Sequence, residues 1–164
     1  MQFLIKNHIY IYTKTEETNL NEMVDLKRTI IILMAVATIV NVVGVIHCHI
    51  NHPYLTTWYG YQMGYSVIFP VLLALTGFLF LEQLLITDGT IAPLNRLRIL
   101  YAFIAAAALL VFGISTAIVA SGKYNSYAHD HYYRNAVLAA LIAFIDAAVY
   151  ISEAIARNRK SRII

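Results

Sequence analysis

Four long runs of apolar residues dominate the chain. They occupy residues 29–46, 66–86, 99–120 and 136–155, and each is close to the roughly 20 residues that a helix needs to cross a bilayer. Each predicted helix is apolar on all its faces and not only along one stripe, which is typical of a helix embedded in lipid. The pattern predicts an all-α membrane protein with four transmembrane helices.

Most polar residues lie in the connections and at the two ends. Because the three connections are short, consecutive helices should be antiparallel neighbours in an up-down bundle. The predicted organisation is an N-terminal segment (1–28), the four-helix domain (29–155) and a basic tail (156–164). The N-terminal segment has no clear fold pattern, and we expect it to be disordered. Met23 stands just before the first predicted helix and is an alternative start.

Composition narrows the class of protein. Of the 164 residues, 60% are hydrophobic and only 13% are charged, against about 25% charged in soluble domains. A soluble enzyme and a disordered chain are both incompatible with these values. The single cysteine excludes an intramolecular disulfide and a CxxC pair. No phosphate-binding or hydrolase motif occurs, so we expect no enzymatic activity, no cofactor and no nucleic-acid partner.

The basic residues orient the predicted bundle. Positively charged side chains in short flanking segments are enriched on the cytoplasmic side of a membrane. Nine of them flank one side of the four helices and two flank the other. We therefore predict that both termini and the connection at 87–98 face the cytoplasm. The nine are Lys14, Lys27, Arg28, Arg96, Arg98, Arg157, Arg159, Lys160 and Arg162, and the two are Lys123 and Arg134.

An acid in the middle of a predicted membrane helix is a candidate functional group. Asp146 lies nine residues from the end of its helix, or about 14 Å at 1.5 Å per residue. Thr38 and Thr76 fall at nearly the same depth, and Asn41 lies one turn further along. We predict hydrogen bonds from Asp146 to one or more of these three. Such a cluster either fixes helix register or relays a proton or cation. We favour the first hypothesis, because the third predicted helix offers no acid, base or amide for a relay.

Two ion pairs and two small-residue faces are also predicted. Glu82 should meet Arg98 or Arg96 across the short connection, and Glu153 precedes Arg157 by four residues, the favourable order for a helical pair. We expect both pairs to be partly hydrated. Small residues at helical spacing let helices approach closely. They form candidate packing faces on the third helix (Ala102, Ala106, Gly113, Ala117) and on the fourth (Ala139, Ala143, Ala147).

Histidines and aromatic residues crowd the two connections predicted to be extracellular. The tyrosines suggest an interfacial belt or, alternatively, a partner-binding surface. Imidazole and carboxylate groups suit zinc or copper, but the spacing lacks a fixed metal motif. A weak metal site and a pH-sensitive outer face both stay open as hypotheses. The candidate ligands are His47, His49, His52, His129 and His131.

The stretch AFIDAAVYISEAIARNRK in the fourth predicted helix resembles the last helix of MARVEL-type four-helix proteins, in particular small insect tetraspans of the snakeskin type. The matching positions are a small-residue run with a tyrosine and then an acid near the membrane exit: Ala147, Ala148, Tyr150 and Glu153. The chain lacks the loop cysteine patterns of claudins, tetraspanins and gap-junction proteins.

This resemblance implies a non-enzymatic membrane protein that organises membrane or protein assemblies at cell junctions or in vesicles. Its expected partners are the lipid bilayer, other membrane proteins or further copies of itself, in the plasma membrane or a vesicle membrane. The alternative is a small ion channel or ion-coupled transporter, or an accessory subunit of one, with Asp146 in the pathway.

Overall fold

The computed structural model describes residues 2–51, 59–85, 92–122 and 130–163, and all of them are helical. The helices are α1 (Gln2–Asn51), α2 (Tyr59–Leu85), α3 (Ala92–Gly122) and α4 (Asp130–Ile163). Each contains a segment that is long and apolar enough to cross a membrane: Leu20–His47, Val67–Leu85, Leu94–Ile118 and Arg134–Arg162. The four predicted helices are thus present, which indicates an integral, multipass membrane protein.

The beginning of α1 differs from the expectation of disorder. The helix starts at Gln2 and runs without interruption into the first membrane segment. The physical reason is that neither glycine nor proline occurs before Gly44, so nothing in this stretch breaks a helix once the apolar segment behind it has formed one.

The four helices pack in an antiparallel ring. Helix α4 lies along both α3 and α1, α1 also packs on α2, and α2 and α3 approach each other least. Arg159 of α4 pairs with Glu22 of α1 at 2.8 Å, so both termini lie at one end of the bundle, which we call the terminal end. At the opposite, loop end, His47 Nε2 lies 3.3 Å from the backbone oxygen of Asn135.

Alanine dominates the interface between α3 and α4. The buried residues are Ala102 and Ala106 on α3 and Ala139, Ala143 and Ala147 on α4. Their small side chains allow a close approach of the two backbones, which favours helix association in lipid.

Gly113 extends this interface, whereas Ala117 does not. A Cβ atom on Gly113 would lie 2.9 Å from the Phe144 ring, so the glycine leaves room for that ring. Ala117 is exposed and lies outside the packing face to which the sequence assigned it. The buried positions of α3 follow the helical repeat of 3.6 residues, which places Thr116, and not its neighbour, toward the interior.

The loop-end half of the interior is filled by aromatic side chains. Phe69 of α2 is fully buried, and its ring meets that of Phe112 edge to face at 6.0 Å. The same ring lies over Gly44 of α1, where a Cβ atom would come within 2.4 Å of it. The glycine is therefore required for α1 and α2 to pack at this distance.

Candidate intramembrane polar site

Polar side chains from all four helices meet in the middle of the bundle. Asn41 Nδ2 donates a hydrogen bond to the Tyr150 hydroxyl at 3.1 Å. The same hydroxyl is hydrogen-bonded to Thr76 Oγ1, which also bonds the Tyr101 hydroxyl at 2.8 Å. Together with Asp146, these four residues form what we call the central cluster. Tyr150 is its hub.

The sequence around each tyrosine explains why the cluster forms. Tyr101 and Tyr150 stand in apolar helices, where a phenolic hydroxyl has no water and must find a protein partner. Their rings also contact each other edge to face, with centroids 6.1 Å apart. Thr76, fully buried on α2, supplies the bridging oxygen between the two hydroxyls.

Asn41 is held in one orientation. Its Nδ2 donates a second hydrogen bond to the backbone oxygen of Ala37, at 2.9 Å. A backbone carbonyl oxygen accepts but cannot donate, so the nitrogen must occupy this position. The Asn41 Oδ1 atom consequently faces elsewhere, and it has no hydrogen-bond donor among the described residues.

Asp146 lies one turn from Tyr150 toward the loop end and is fully buried. Its carboxyl group is next to the Asn41 side chain. Neither carboxyl oxygen has a hydrogen-bond partner of normal geometry in the part of the chain that the structure describes. Buried polar atoms are nearly always hydrogen-bonded, so these oxygens stand out from the rest of the interior.

The sequence prediction placed Asp146 at the centre of the cluster, and the structure places Tyr150 there. Thr76 bonds the tyrosine hydroxyls and not the acid. Thr38 is outside the cluster, because its hydroxyl donates to the backbone oxygen of Met34 on its own helix, at 2.8 Å. Tyr150 takes this place because a tyrosine side chain is long enough to reach the other helices, whereas the short aspartate side chain is not.

A second polar layer lies nearer the terminal end. Arg157 Nε donates to Glu153 at 2.7 Å, and Arg98 pairs with Glu82 at 2.7 Å and with Gln83 at 2.9 Å. We call these five residues the ion-pair layer. Both pairs were predicted as partners.

The first pair of this layer is not partly hydrated, contrary to expectation. The side chains of Glu153 and Arg157 are only 4% and 3% exposed, and the guanidinium also donates to Met34 Sδ at 2.9 Å. The reason is that Glu153 lies one turn below Tyr150 on the buried face of α4. Arg98 lies close enough to Glu153 to act on it electrostatically, so the two pairs form one network.

Tyr101 and Gln83 are site residues that sequence reasoning missed. The available signal for Tyr101 was a polar tip inside an otherwise apolar helix, whereas Gln83 stands beside Glu82 near the end of α2. Most of the 12 tyrosines lie near the connections, and that grouping drew attention away from the two in the interior.

The two predicted metal ligands whose side chains are described, His47 and His49, do not form part of a metal site among the described residues. No group of three histidine, cysteine, aspartate or glutamate residues with the geometry of a metal site occurs within the four described ranges. His49 is exposed, and His47 contacts the backbone of α4. His52, His129 and the side chain of His131 lie outside the described residues.

Comparison with models of protein families gives no match, and comparisons with curated proteins and with solved structures give none either. The class of protein therefore rests on the helices themselves: an all-helical, integral membrane protein with four apolar helices.

Proposed function

We propose that this chain is a non-enzymatic tetraspan protein that organises membrane or protein assemblies through helix packing, at cell junctions or in vesicles. This is the role that its resemblance to MARVEL-type proteins implies. The observation that supports it best is the closed interior of the loop-end half. Phe69 fills that half against Gly44 and Phe112, and no polar layer continues through it among the described residues.

The outward faces are the surfaces that such a role requires. Large apolar side chains cover them, including Ile104, Val111 and Ile118 on α3, which are 59%, 67% and 65% exposed. Exposed small residues such as Ala117 interrupt this surface and allow another helix to approach closely. Partner helices or lipid would cover these faces in the membrane.

A pair of substitutions tests this role. Ala117→Leu places a large side chain where a partner helix would approach, and Ile118→Leu preserves bulk at the next position. We expect Ala117→Leu to reduce cross-linking between copies, or to co-purifying membrane proteins, and Ile118→Leu to leave it unchanged. Both variants should unfold at the wild-type temperature. Equal cross-linking in all three proteins would contradict the proposal for this face.

The cytoplasmic orientation of the termini has its own test. An epitope tag placed after Ile164 should be reached by antibody only after the cells are permeabilised. Labelling of intact cells would reverse the orientation inferred from the basic residues.

The second candidate function is a small ion channel or ion-coupled transporter, or an accessory subunit of one. A specific observation favours it: Asp146 is fully buried in the middle of the bundle, and its carboxyl oxygens have no hydrogen-bond partner of normal geometry among the described residues. Loss of ion flux in Asp146→Asn with normal surface delivery would favour transport. Unchanged flux with impaired assembly would favour the organising role.

A further inference from the structure

Three buried oxygen atoms of two neighbouring side chains have no hydrogen-bond donor of normal geometry among the described residues. They are Oδ1 and Oδ2 of Asp146 and Oδ1 of Asn41, which belong to neighbouring side chains of α4 and α1. Both residues are fully buried. The Asn41 nitrogen is committed to Ala37 and Tyr150, so the orientation of its oxygen is fixed by the protein.

No basic side chain of the described residues compensates this group. The residues shown to act on the carboxyl group carry no positive charge: Asn41 on α1, Tyr101 on α3 and, one turn away on α4, Tyr150. The nearest arginine along α4, Arg157, is 11 residues away, or about 16 Å along the axis. That arginine is already paired with a glutamate at 2.7 Å.

An isolated carboxylate in such a place is very costly. Transfer of an unpaired ionised group into a medium of low dielectric constant costs many kcal/mol, and in practice the charge is neutralised. A partner with positive charge and a preference for oxygen would satisfy all three acceptors. A single carboxylate suits one positive charge, whereas a calcium site uses six to eight oxygen ligands with several carboxylates.

We propose that Asp146 and Asn41 form an intramembrane binding site for one monovalent cation, either a proton or Na⁺. The carboxylate supplies the charge, and the Asn41 oxygen supplies a fixed neutral ligand or acceptor. In the second candidate function, on which this assignment builds, the same cation would be the transported or coupling ion. The site also stands if nothing is transported, because binding alone neutralises the carboxylate.

Thermal unfolding of the full chain in lipid nanodiscs tests the site. A ligand that binds only the folded state raises its stability with ligand concentration. The unfolding temperature is measured while Na⁺ replaces choline at constant ionic strength, and separately between pH values of about 5 and about 9. K⁺ replaces Na⁺ as the control ion.

Each cation gives a distinct result. If Na⁺ is the ligand, the wild-type unfolding temperature rises by several degrees with Na⁺ and not with K⁺. If a proton is the ligand, the folded state binds more protons than the unfolded state, so stability falls as pH rises and Na⁺ has no effect. Asp146→Asn removes the charge while keeping the shape, and it should abolish either response.

The control variant is Glu22→Gln, which removes a partly exposed carboxylate remote from the site and should keep the wild-type response. Identical responses in wild type and Asp146→Asn would overturn the proposal, as would equal stabilisation by Na⁺ and by K⁺. If Asp146→Asn does not fold, two measurements on the wild-type protein test the site instead. Either retained radioactive Na⁺ or an infrared band of a protonated carboxyl group in the purified protein supports the site, and the absence of both overturns it. Ion flux is not part of this readout, so a failed transport hypothesis leaves it unaffected.

Discussion

Gly44→Ala should destabilise the bundle although alanine is the better helix former. At this position a Cβ atom would lie 2.4 to 2.8 Å from three atoms of the Phe69 ring, well inside ordinary contact distance. The ring is fully buried and is held against Phe112, so it has no free space into which to move. Either the ring or the whole of α1 must shift.

Gly77→Ala is the matched control, since nothing lies within 4 Å of a Cβ atom built there. Both substitutions gain the same helix propensity, about 1 kcal/mol, so the difference between the two variants isolates the steric term. Overpacking of a buried site costs about 1 to 3 kcal/mol. For a chain of this size, that corresponds to an unfolding temperature about 2 to 12 °C lower for Gly44→Ala than for Gly77→Ala.

The assay is thermal unfolding of both purified variants in the same lipid nanodiscs. A second measurement places Phe69→Leu in the background of Gly44→Ala. Because the smaller side chain gives the new methyl group room, the double variant should be more stable than the sum of the two single effects predicts. The packing described here would be refuted if Gly44→Ala unfolded at the same temperature as Gly77→Ala or at a higher one.

Two further predictions concern the polar layers. Tyr150→Phe removes the hydroxyl shared by two buried partners and should cost about 1 to 3 kcal/mol, whereas Tyr101→Phe, which leaves the threonine one remaining partner, should cost about 1 kcal/mol; equal losses in thermal unfolding would contradict the role of Tyr150 as hub. Glu153→Gln leaves a buried guanidinium without its counter-ion and should cost about 3 to 5 kcal/mol. Removal of the partly exposed acid in Glu22→Gln should cost at most about 1 kcal/mol. A similar loss of stability in both variants would show that burial does not make the Glu153–Arg157 pair more important than the Glu22–Arg159 pair.

The number of apolar helices and their approximate positions could be predicted from the sequence because lipid imposes a length on every segment that crosses it. Their limits could not, since the helices continue beyond the predicted apolar segments. The ion pairs were also accessible, since Glu153 and Arg157 are four residues apart and Glu82 and Arg98 flank a short connection. These signals are local. Each depends on residues whose separation along the chain sets their separation in space.

The arrangement of the central cluster could not be predicted in the same way. Depth along a helix indicated that Asp146, Asn41 and Thr76 lie in one layer, but it did not give the rotation of each helix about its axis. That rotation decides that Tyr150 reaches across the bundle and that Thr38 turns to its own backbone. It also decides that Ala117 is exposed, which a spacing of four residues from Gly113 does not reveal.

The polar layers also have a structural role at the weakest seam of the bundle. Among the neighbouring helices of the ring, α2 and α3 have the least contact, and no alanine face like that of α3 and α4 joins them in the described ranges. Polar contacts connect the two helices instead. Thr76 bonds Tyr101 in the central cluster, and Glu82 pairs with Arg98 in the ion-pair layer.

Burial of apolar surface gives no net drive to helix association within lipid, so close packing and hydrogen bonds must supply it. Helix α2 is therefore held to α3 mainly by polar contacts, whereas α3 and α4 are held by close packing. A substitution that removes either bridging contact should weaken the packing of α2 on α3 first and leave the packing of α3 on α4 intact. The central cluster thus links the surroundings of Asp146 to the contact between α2 and α3, which no face of small residues supplies in the described ranges.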